Sequence, residues 1–408
     1  MSQATASTGA GPAVGPPPGG GNLLSLMLDG QPRTRADLIE LTGLARSTVA
    51  VRIDGLLSLG LLQPSGRSRS TGGRPPTRFA FNRDARLVLA ADFGATHGRV
   101  ALTDLTARVV AEQTAELRIA DGPESVLGWL VQIAPTLLES VGRTVDDLAG
   151  IGIGLPGPVE HHTGRPVKPP IMPGWDGFDV VGWVRQRIDA PVLVDNDVNM
   201  MALGEHSVAY PDVEHLVFVK VATGIGAGII SGRRLHRGAQ GSAGDLGHVQ
   251  SPRGGDALCD CGNTGCLEAI ASSRAIAQEI GVAQATATDA TRAIIERLGG
   301  GDRETIAAIR RAGRDIGEVL ASCVSLLNPS VIVLGGALAG GAPSLLAGVR
   351  EVIYARSLPL ATGDLSVVPA QTGEHAGVVG AATMAVQQFL APESVDAMLA
   401  RSVGLTAS

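Results

Sequence analysis

Three of the four cysteines in this 408-residue sequence, Cys259, Cys261 and Cys266, fall within eight positions, and His248 precedes them. Three thiolates and one imidazole make the donor set of a closed tetrahedral zinc site, with ligands at about 2.0 to 2.3 Å and no position left for a reacting water. The spacing H-x10-C-x-C-x4-C, with Gly262 and Gly265 permitting a tight loop, is far more specific than a lone C-x-x-C. We therefore expect one structural Zn2+ per chain on His248, Cys259, Cys261 and Cys266, doing no chemistry of its own. The pattern lacks the paired spacing of a DNA-reading finger. The clustering fits a reducing compartment better than a disulfide framework, and Cys323, alone in an apolar helical context, reads as core.

A second chemistry lies near the N-terminus. Arg46, Ser47, Thr48 and Arg52 are the residue types that reach base edges from the start of a recognition helix. Between Gln63 and Arg83 there are five arginines and no acid. Arg67, Arg69 and Arg78 suit phosphate contacts, and Arg74, on the slim backbone of GGRPP, suits insertion into a narrow minor groove. The bland alternatives are a small helical dimerisation module and a solvated arginine linker.

These side chains need elements to place them. TRADLIELTGLARSTVAVRIDGLLSLGLL divides into a helix at about 35–41, a turn at Gly43 and a helix at about 45–58, with Leu38, Ile39, Leu41, Leu44, Val49, Ile53, Leu56 and Leu57 facing inward. GLLQPSGRSRSTGGRPPTRFAFN then reads as strand, turn and returning strand. Together they predict a winged helix-turn-helix over 22–83, behind a Gly/Pro-rich disordered tail at 1–21. From Leu87 an apolar strand runs into a glycine turn and a second strand, LVLAADFGATHGRVALTDL, and the unit recurs as HLVFVKVATGIGAGIISGRRL. Two related α/β lobes whose glycine turns face one cleft are expected, a geometry able to cradle phosphates.

The charge distribution agrees with this division. Residues 1–86 hold ten Arg against five Asp or Glu, and with a formal charge of −6 overall that leaves −11 on the remainder. A basic head on an acidic body points the head alone at a polyanion. No run is long and apolar enough for a membrane span, and no signal peptide is apparent, so a cytoplasmic protein with no membrane partner is expected.

The stretch GHVQSPRGGDALCDCGNTGCLEAIAS resembles the zinc signature of the ROK family (repressors, ORFs and sugar kinases). DFGATHG is similar to that family's first phosphate loop, GIGIGLPGPV to its sugar-side glycine turn, VDNDVNMMALGE to its Asn-Asp site and VIVLGGALA to its adenosine-side motif. The resemblance covers about residues 22–390. It implies an α/β protein in which the winged helix-turn-helix precedes a two-lobed, actin-like (ribonuclease H-like) ATPase/sugar-kinase fold at 87–390. The small lobe would comprise about 87–195 plus a C-terminal helix at about 376–390, the large lobe about 196–375, and 391–408 would be a tail. It also implies ligand contacts at Asn196, Asp197, Asp245, His248 and Glu268. Nucleotide contacts would fall at Asp92, Gly94, Thr96, Thr223, Gly224, Gly226, Gly335 and Gly336. In a kinase Asp197 would be the general base. Asp195 also admits a structural reading, as a turn-satisfying carboxylate.

Three departures bear on function. Asp245 stands where the family has Glu, Ile171 in PIMPGW where a hydroxyl-contacting Asn is usual, and Ala222 in ATGIGAG where a glycine is customary. Each unmade buried polar contact costs about 1 to 3 kcal/mol, so two lost contacts would remove most kinase competence or select a different ligand, while Asp92 and Thr96 keep the first loop and leave ATP and Mg2+ binding weakened, not abolished. Members with an N-terminal winged helix-turn-helix are transcriptional regulators. The resemblance thus implies a repressor, with no catalytic residues, that binds double-stranded operator DNA as a homodimer or homotetramer and senses a sugar or sugar phosphate. Two alternatives are a sugar kinase with an appended DNA-binding head and a regulator controlled by a protein partner.

Overall fold

The computed structural model describes residues 19–67, 76–282 and 287–406. The chain divides into two units, Met1–Ala85 with Gln387–Ser408, and Arg86–Val386.

The first unit begins with helix α1 (Gly20–Ser25), the short strand β1 (Arg33–Thr34), α2 (Arg35–Thr42) and α3 (Arg46–Ser58). A reciprocal cap starts α2: Thr34 Oγ1 accepts the Asp37 N–H at 3.2 Å and Asp37 Oδ2 accepts the Thr34 N–H at 2.8 Å. Gly43, at φ 67°, stops α2 in the left-handed region, so the chain can turn into α3. Leu38, Val49, Ile53 and Leu56 are buried, as are Leu23, Leu24 and Met27 in and just after α1. Strands β2 (Leu62–Arg67) and β3 (Thr77–Phe81) complete a sheet of order β1-β3-β2. Both helices therefore form within two residues of their expected limits, and two strands follow them as expected.

The second unit opens with β4 (Leu87–Phe93), β5 (His97–Thr103) and β6 (Val109–Glu116). It continues through α4 (Pro123–Ser140), β7 (Leu148–Leu155), a ribbon of β8 (Val159–Glu160) and β9 (Arg165–Pro166), α5 (Val180–Arg185) and β10 (Val192–Asn196). Next come α6 (Asp197–Ala209), β11 (His215–Val221), β12 (Ile225–Ser231), β13 (Arg234–His236), α7 (Leu267–Ala271), α8 (Ser273–Glu279) and α9 (Ala287–Gly299). Then follow α10 (Arg303–Leu327), β14 (Val331–Gly335), α11 (Pro343–Arg356), α12 (Pro359–Thr362), β15 (Ser366–Pro369) and α13 (Ala376–Phe389).

Its two five-stranded sheets, β6-β5-β4-β7-β10 and β13-β12-β11-β14-β15, share one plan. Each has an antiparallel meander whose first strand pairs in parallel with a later strand, itself paired in parallel with the last. The repeated strand-turn-strand motif is thus the β4–β5 hairpin of one lobe and the β11–β12 hairpin of the other. Each lobe buries its own apolar cluster, one around Leu89, Ile151 and Trp175, the other around Val219, Ile316 and Ile332. Helix α13 returns to the first lobe: a Cβ on Gly152 of β7 would lie 2.1 Å from the Ala381 carbonyl oxygen. Among the described residues no helix is long and apolar enough to cross a membrane.

The chain ends differ from expectation. Where a tail was expected over 391–408, α14 (Pro392–Thr406) forms and packs on α1. The Gly21 N–H donates to Asp396 Oδ1 at 2.9 Å, and Val395 is fully buried. At the other end, Gly20 and Gly21, expected in the 1–21 tail, begin α1, and the rest of that tail up to residue 18 lies outside the described residues.

Candidate functional site

The four donor atoms of His248, Cys259, Cys261 and Cys266 lie within 4.8 Å of one another, an arrangement that could hold a metal ion. Cys259 Sγ is 3.6 Å from His248 Nδ1 and Cys261 Sγ is 3.7 Å from Cys266 Sγ. Ligands at 2.0 to 2.3 Å in a tetrahedron stand about 3.3 to 3.8 Å apart, so the cluster fits such an ion. The loop is shaped locally: Gly262 and Gly265 are at φ 91° and 75°, the Cys259 N–H donates to the Asn263 carbonyl at 2.9 Å, and short bridges join Gln250 to Cys266 and Leu258 to Thr264. Burial pushes the Cys259 thiol up to about 12, whereas the backbone N–H of Asn263 lowers that of Cys261. A metal must therefore displace protons to bind here.

The strand ends gather the charges of the cleft. Asp92, near the end of β4, is in register with Gly154 of β7, which is in register with Asp195 of β10. Parallel strands carry their C-terminal residues to one edge, so Asp92, Asp195, Asn196 and Asp197 crowd together. Asp92 is 9% exposed and Asp197 3%. Burial first, and then the neighbouring Asp197, raise Asp92 to about 7, against the opposing pull of Lys220 and Arg99. Lys220, on β11, donates from Nζ to Asp197 Oδ2 at 2.5 Å. Burial works against its ammonium, but Asp197, Asp92 and Glu268 outweigh that and raise its pKa. His97 is lowered by burial and by Lys220.

The expected ligand residues divide between the cleft and structural duty. Asn196 caps α6: its Oδ1 accepts the N–H groups of Val198 at 2.9 Å and Asn199 at 3.3 Å, and its Nδ2 donates to the Gly157 carbonyl at 3.0 Å. Asp195 has the structural role that its turn position suggested, accepting from Asn196 N at 2.7 Å and Asn199 Nδ2 at 2.8 Å. It also meets Arg237 Nε at 2.5 Å. Glu268 Oε2 accepts the Ile225 N–H at 2.9 Å, and burial raises its pKa. Asp245 is 54% exposed, 3.9 Å from His248 Nε2. Ile171 is exposed, with Met172 and Trp175 buried beside it in the chain.

The glycine turns follow the C-terminal ends of β4, β11 and β14. Gly94 N donates to the His97 carbonyl at 2.9 Å, and the Thr96 carbonyl accepts from Leu117 N at 3.2 Å. Thr223, Gly224 and Gly226 border the turn between β11 and β12, and Gly224 approaches Glu268 so closely that a Cβ would stand 2.7 Å from its Oε2. Gly335 ends β14. Gly336, at φ 90°, brings its backbone against β11, where a Cβ would be 2.7 Å from the Val221 carbonyl oxygen. Ala222 lies outside the left-handed region, so the customary glycine's place is filled without backbone strain.

In the first unit Arg46 and Ser47 are exposed and Thr48 is half-buried at the start of α3. Arg52, expected outward, is half-buried, and its Nη1 is sealed from solvent without a hydrogen-bond partner. The position flanks Val49 and Leu56, three back and four on, which draws its stem toward the core stripe. Arg78 is half-buried on β3, Arg67 ends β2, and Arg69 and Arg74 lie outside the described residues.

Lys220, His97 and Arg237 are site residues that the sequence motifs do not single out. Lys220 stands as the one charge inside the apolar strand HLVFVKV, His97 lies within the DFGATHG turn without being marked out by it, and Arg237 follows the polar strand RLH with no distinguishing signal.

Residues 88–388 match the model described as ROK family. The xylose repressor of Caldicellulosiruptor bescii is 29% identical over 381 residues, 90% of this chain and 95% of that protein. A crystal structure of a ROK family transcriptional regulator, homolog of the E. coli MLC protein, matches with a TM-score of 0.77 at 25% identity, covering 93% of this chain and 98% of that one. A ROK family glucokinase from Streptomyces griseus in complex with glucose and AMPPNP matches with a TM-score of 0.62 at 27% identity, covering 74% of this chain and 99% of its own.

Proposed function

The chain belongs to the ROK family, and from that premise we propose that it is a sugar-responsive transcriptional repressor. The observation that carries this reading is coverage. The xylose repressor aligns with 90% of the chain, whereas the glucokinase, spanned almost whole, reaches 74%. A kinase-sized body therefore leaves a winged helix-turn-helix over, and the repressor does not.

In this reading Arg46, Ser47 and Thr48 meet base edges in operator DNA, with Arg52 contributing from a half-buried stem. Arg67, Arg69 and Arg78 bind phosphates, and Arg74 enters the minor groove. Asp197, Asn196, Asp245, His248 and Glu268 surround a sugar or sugar phosphate, and a structural Zn2+ on His248, Cys259, Cys261 and Cys266 fixes the imidazole that faces it. The protein works in the cytoplasm as a homodimer or homotetramer, since two-fold operators are read by paired heads. An effector that binds one lobe angle better than another shifts the population between them and with it the DNA affinity.

The test is genome-wide mapping of bound sites followed by titration of sugars from the neighbouring pathways against a labelled site. A sugar that changes operator affinity supports the reading. Unchanged affinity with every sugar and sugar phosphate sinks its sensing half and favours control by a protein partner. The glucokinase likeness keeps a kinase as the second reading, with Asp92, Thr96, Thr223, Gly224, Gly226, Gly335 and Gly336 as its nucleotide contacts. Sugar-dependent ADP release abolished by Asp197→Asn would establish it.

A further inference from the structure

A phosphoryl-transfer cleft of the glucokinase kind needs a divalent cation between protein carboxylates and nucleotide phosphates. The carboxylates in place here are Asp92 and Asp197, both nearly closed to solvent. Their surroundings do not fit that group. Asp197 Oδ2 already accepts from Lys220 Nζ at 2.5 Å. Asp92 is pressed against the first turn of α13, where a Cβ on Gly377 would lie 2.1 Å from its Oδ2. Lys220 acts electrostatically on Asp92, Asp197 and Glu268 alike, so one ammonium serves carboxylates from both lobes.

We propose that Lys220 is the resident cation of this cleft, filling the charge position of a divalent metal beside Asp92 and Asp197. The chain then takes its effector without metal or nucleotide. This inference rests on the repressor reading and makes it more specific.

Three observations carry it. The first is occupancy: the carboxylate oxygen that would take a substrate proton or hold a metal already has a donor. The second is charge, because a doubly charged ion placed beside a fixed ammonium in a partly buried site is repelled, and the ammonium here has no route to neutrality at ordinary pH. The third is residue choice. Lys168 and Lys220 are the only lysines among 33 basic residues, so a chain that otherwise uses arginine keeps a lysine at this point. A compact ammonium on a flexible stem can sit where a metal would, and a planar guanidinium fork cannot. A lysine can also grip a nucleotide's phosphates, as in other phosphate-binding loops, and the experiment must separate that role from the one proposed.

The full-length, zinc-loaded protein is titrated with Mn2+, read as loss of the free-ion spin-resonance signal, and with Mn2+ plus AMPPNP, read by calorimetry. Wild type is compared with Lys220→Met, Lys220→Arg and Lys220→Thr, the last keeping a hydroxyl that can donate to Asp197 if the methionine variant fails to fold. Wild type and Lys220→Arg should take up no Mn2+ in the cleft. The methionine or threonine variant should bind one per chain at least about 100-fold more tightly, and Asp92→Asn added to it should remove that gain. One Mn2+ or one Mn2+-AMPPNP bound per wild-type chain, or no gain in either neutral variant, overturns the proposal. Operator DNA is absent from these measurements, so their failure leaves the repressor reading standing. A protein that binds no operator leaves them interpretable.

Discussion

Glu268 accepts the backbone N–H of Ile225 at 2.9 Å and stands two residues beyond Cys266. The loop that carries the candidate metal ligands therefore holds the start of β12. Val221 and Lys220 of β11 pair with Ile225 and Gly226, so whatever loosens the loop is transmitted to the cleft within one strand pair.

Cys261→Ser is accordingly expected to reduce metal content from one ion per chain to a small fraction and to lower the melting temperature of the body. Metal binding to a folded site is folding free energy, so several kcal/mol are at stake. Elemental analysis and calorimetry read both. Glu268→Gln should keep the metal yet weaken the Ile225 contact, which lacks a charged acceptor in the variant. Its measured loss is expected at about 1 to 2 kcal/mol.

Asp92 gives the body a pH dependence of stability with a definite sign. Its folded pKa of about 7 lies above the ordinary aspartate value of 3.8, so between the two the folded state holds the extra proton. Its contribution to stability is therefore present at low pH and falls as pH rises toward 7. Asp92→Asn removes that loss. Its melting temperature should exceed wild type by several degrees more at pH 8 than at pH 5, roughly 2 to 6 °C. An equal offset at both values would mean that Asp92 ionises normally.

Arg237 and Asp195 pair at 2.5 Å with Asp195 1% exposed. Removing one partner of such a pair leaves a buried charge, so Arg237→Ala should cost about 3 kcal/mol or more in denaturant unfolding. Adding Asp195→Asn should recover most of it, since the amide oxygen can still accept from Asn199 and the uncompensated charge is gone.

In the first unit, Arg46→Ala should weaken binding to a mapped operator by about 1 to 3 kcal/mol, and more than it weakens binding to random DNA. Arg78→Ala should weaken both alike and reduce the slope of log affinity against log salt by about one. Mobility shifts at three salt concentrations suffice.

Local chemistry is legible in the amino-acid order itself. The Thr34–Asp37 cap, the Gly43 stop and the alternation of glycine turns with apolar strands act within a few residues of themselves, so helix limits and the two-lobe plan follow. The His248–Cys259–Cys261–Cys266 cluster is legible for the same reason, since three of its members share one short loop. What stays hidden depends on partners distant in sequence. Lys220 meets Asp197 from a different element, 23 residues away. Asn196 looks like a ligand residue in a motif, yet the N–H groups of Val198 and Asn199 claim its oxygen as a cap. Arg52 turns partly inward because a helix flank is shared between core and surface. For α14, Pro392 and Glu393 mark a helix start, but its companion α1 lies at the opposite end of the sequence.

That last pairing orders events during synthesis. The ribosome delivers Gly20 to Phe81 first and Pro392 to Thr406 only after the second unit, so the first unit stays unfinished until the second has been made. A chain that stops before Pro392 then carries α3 without the Gly21–Asp396 hydrogen bond and without the buried Val395. Val395→Asp should imitate it, with operator binding lost while metal content and body melting hold.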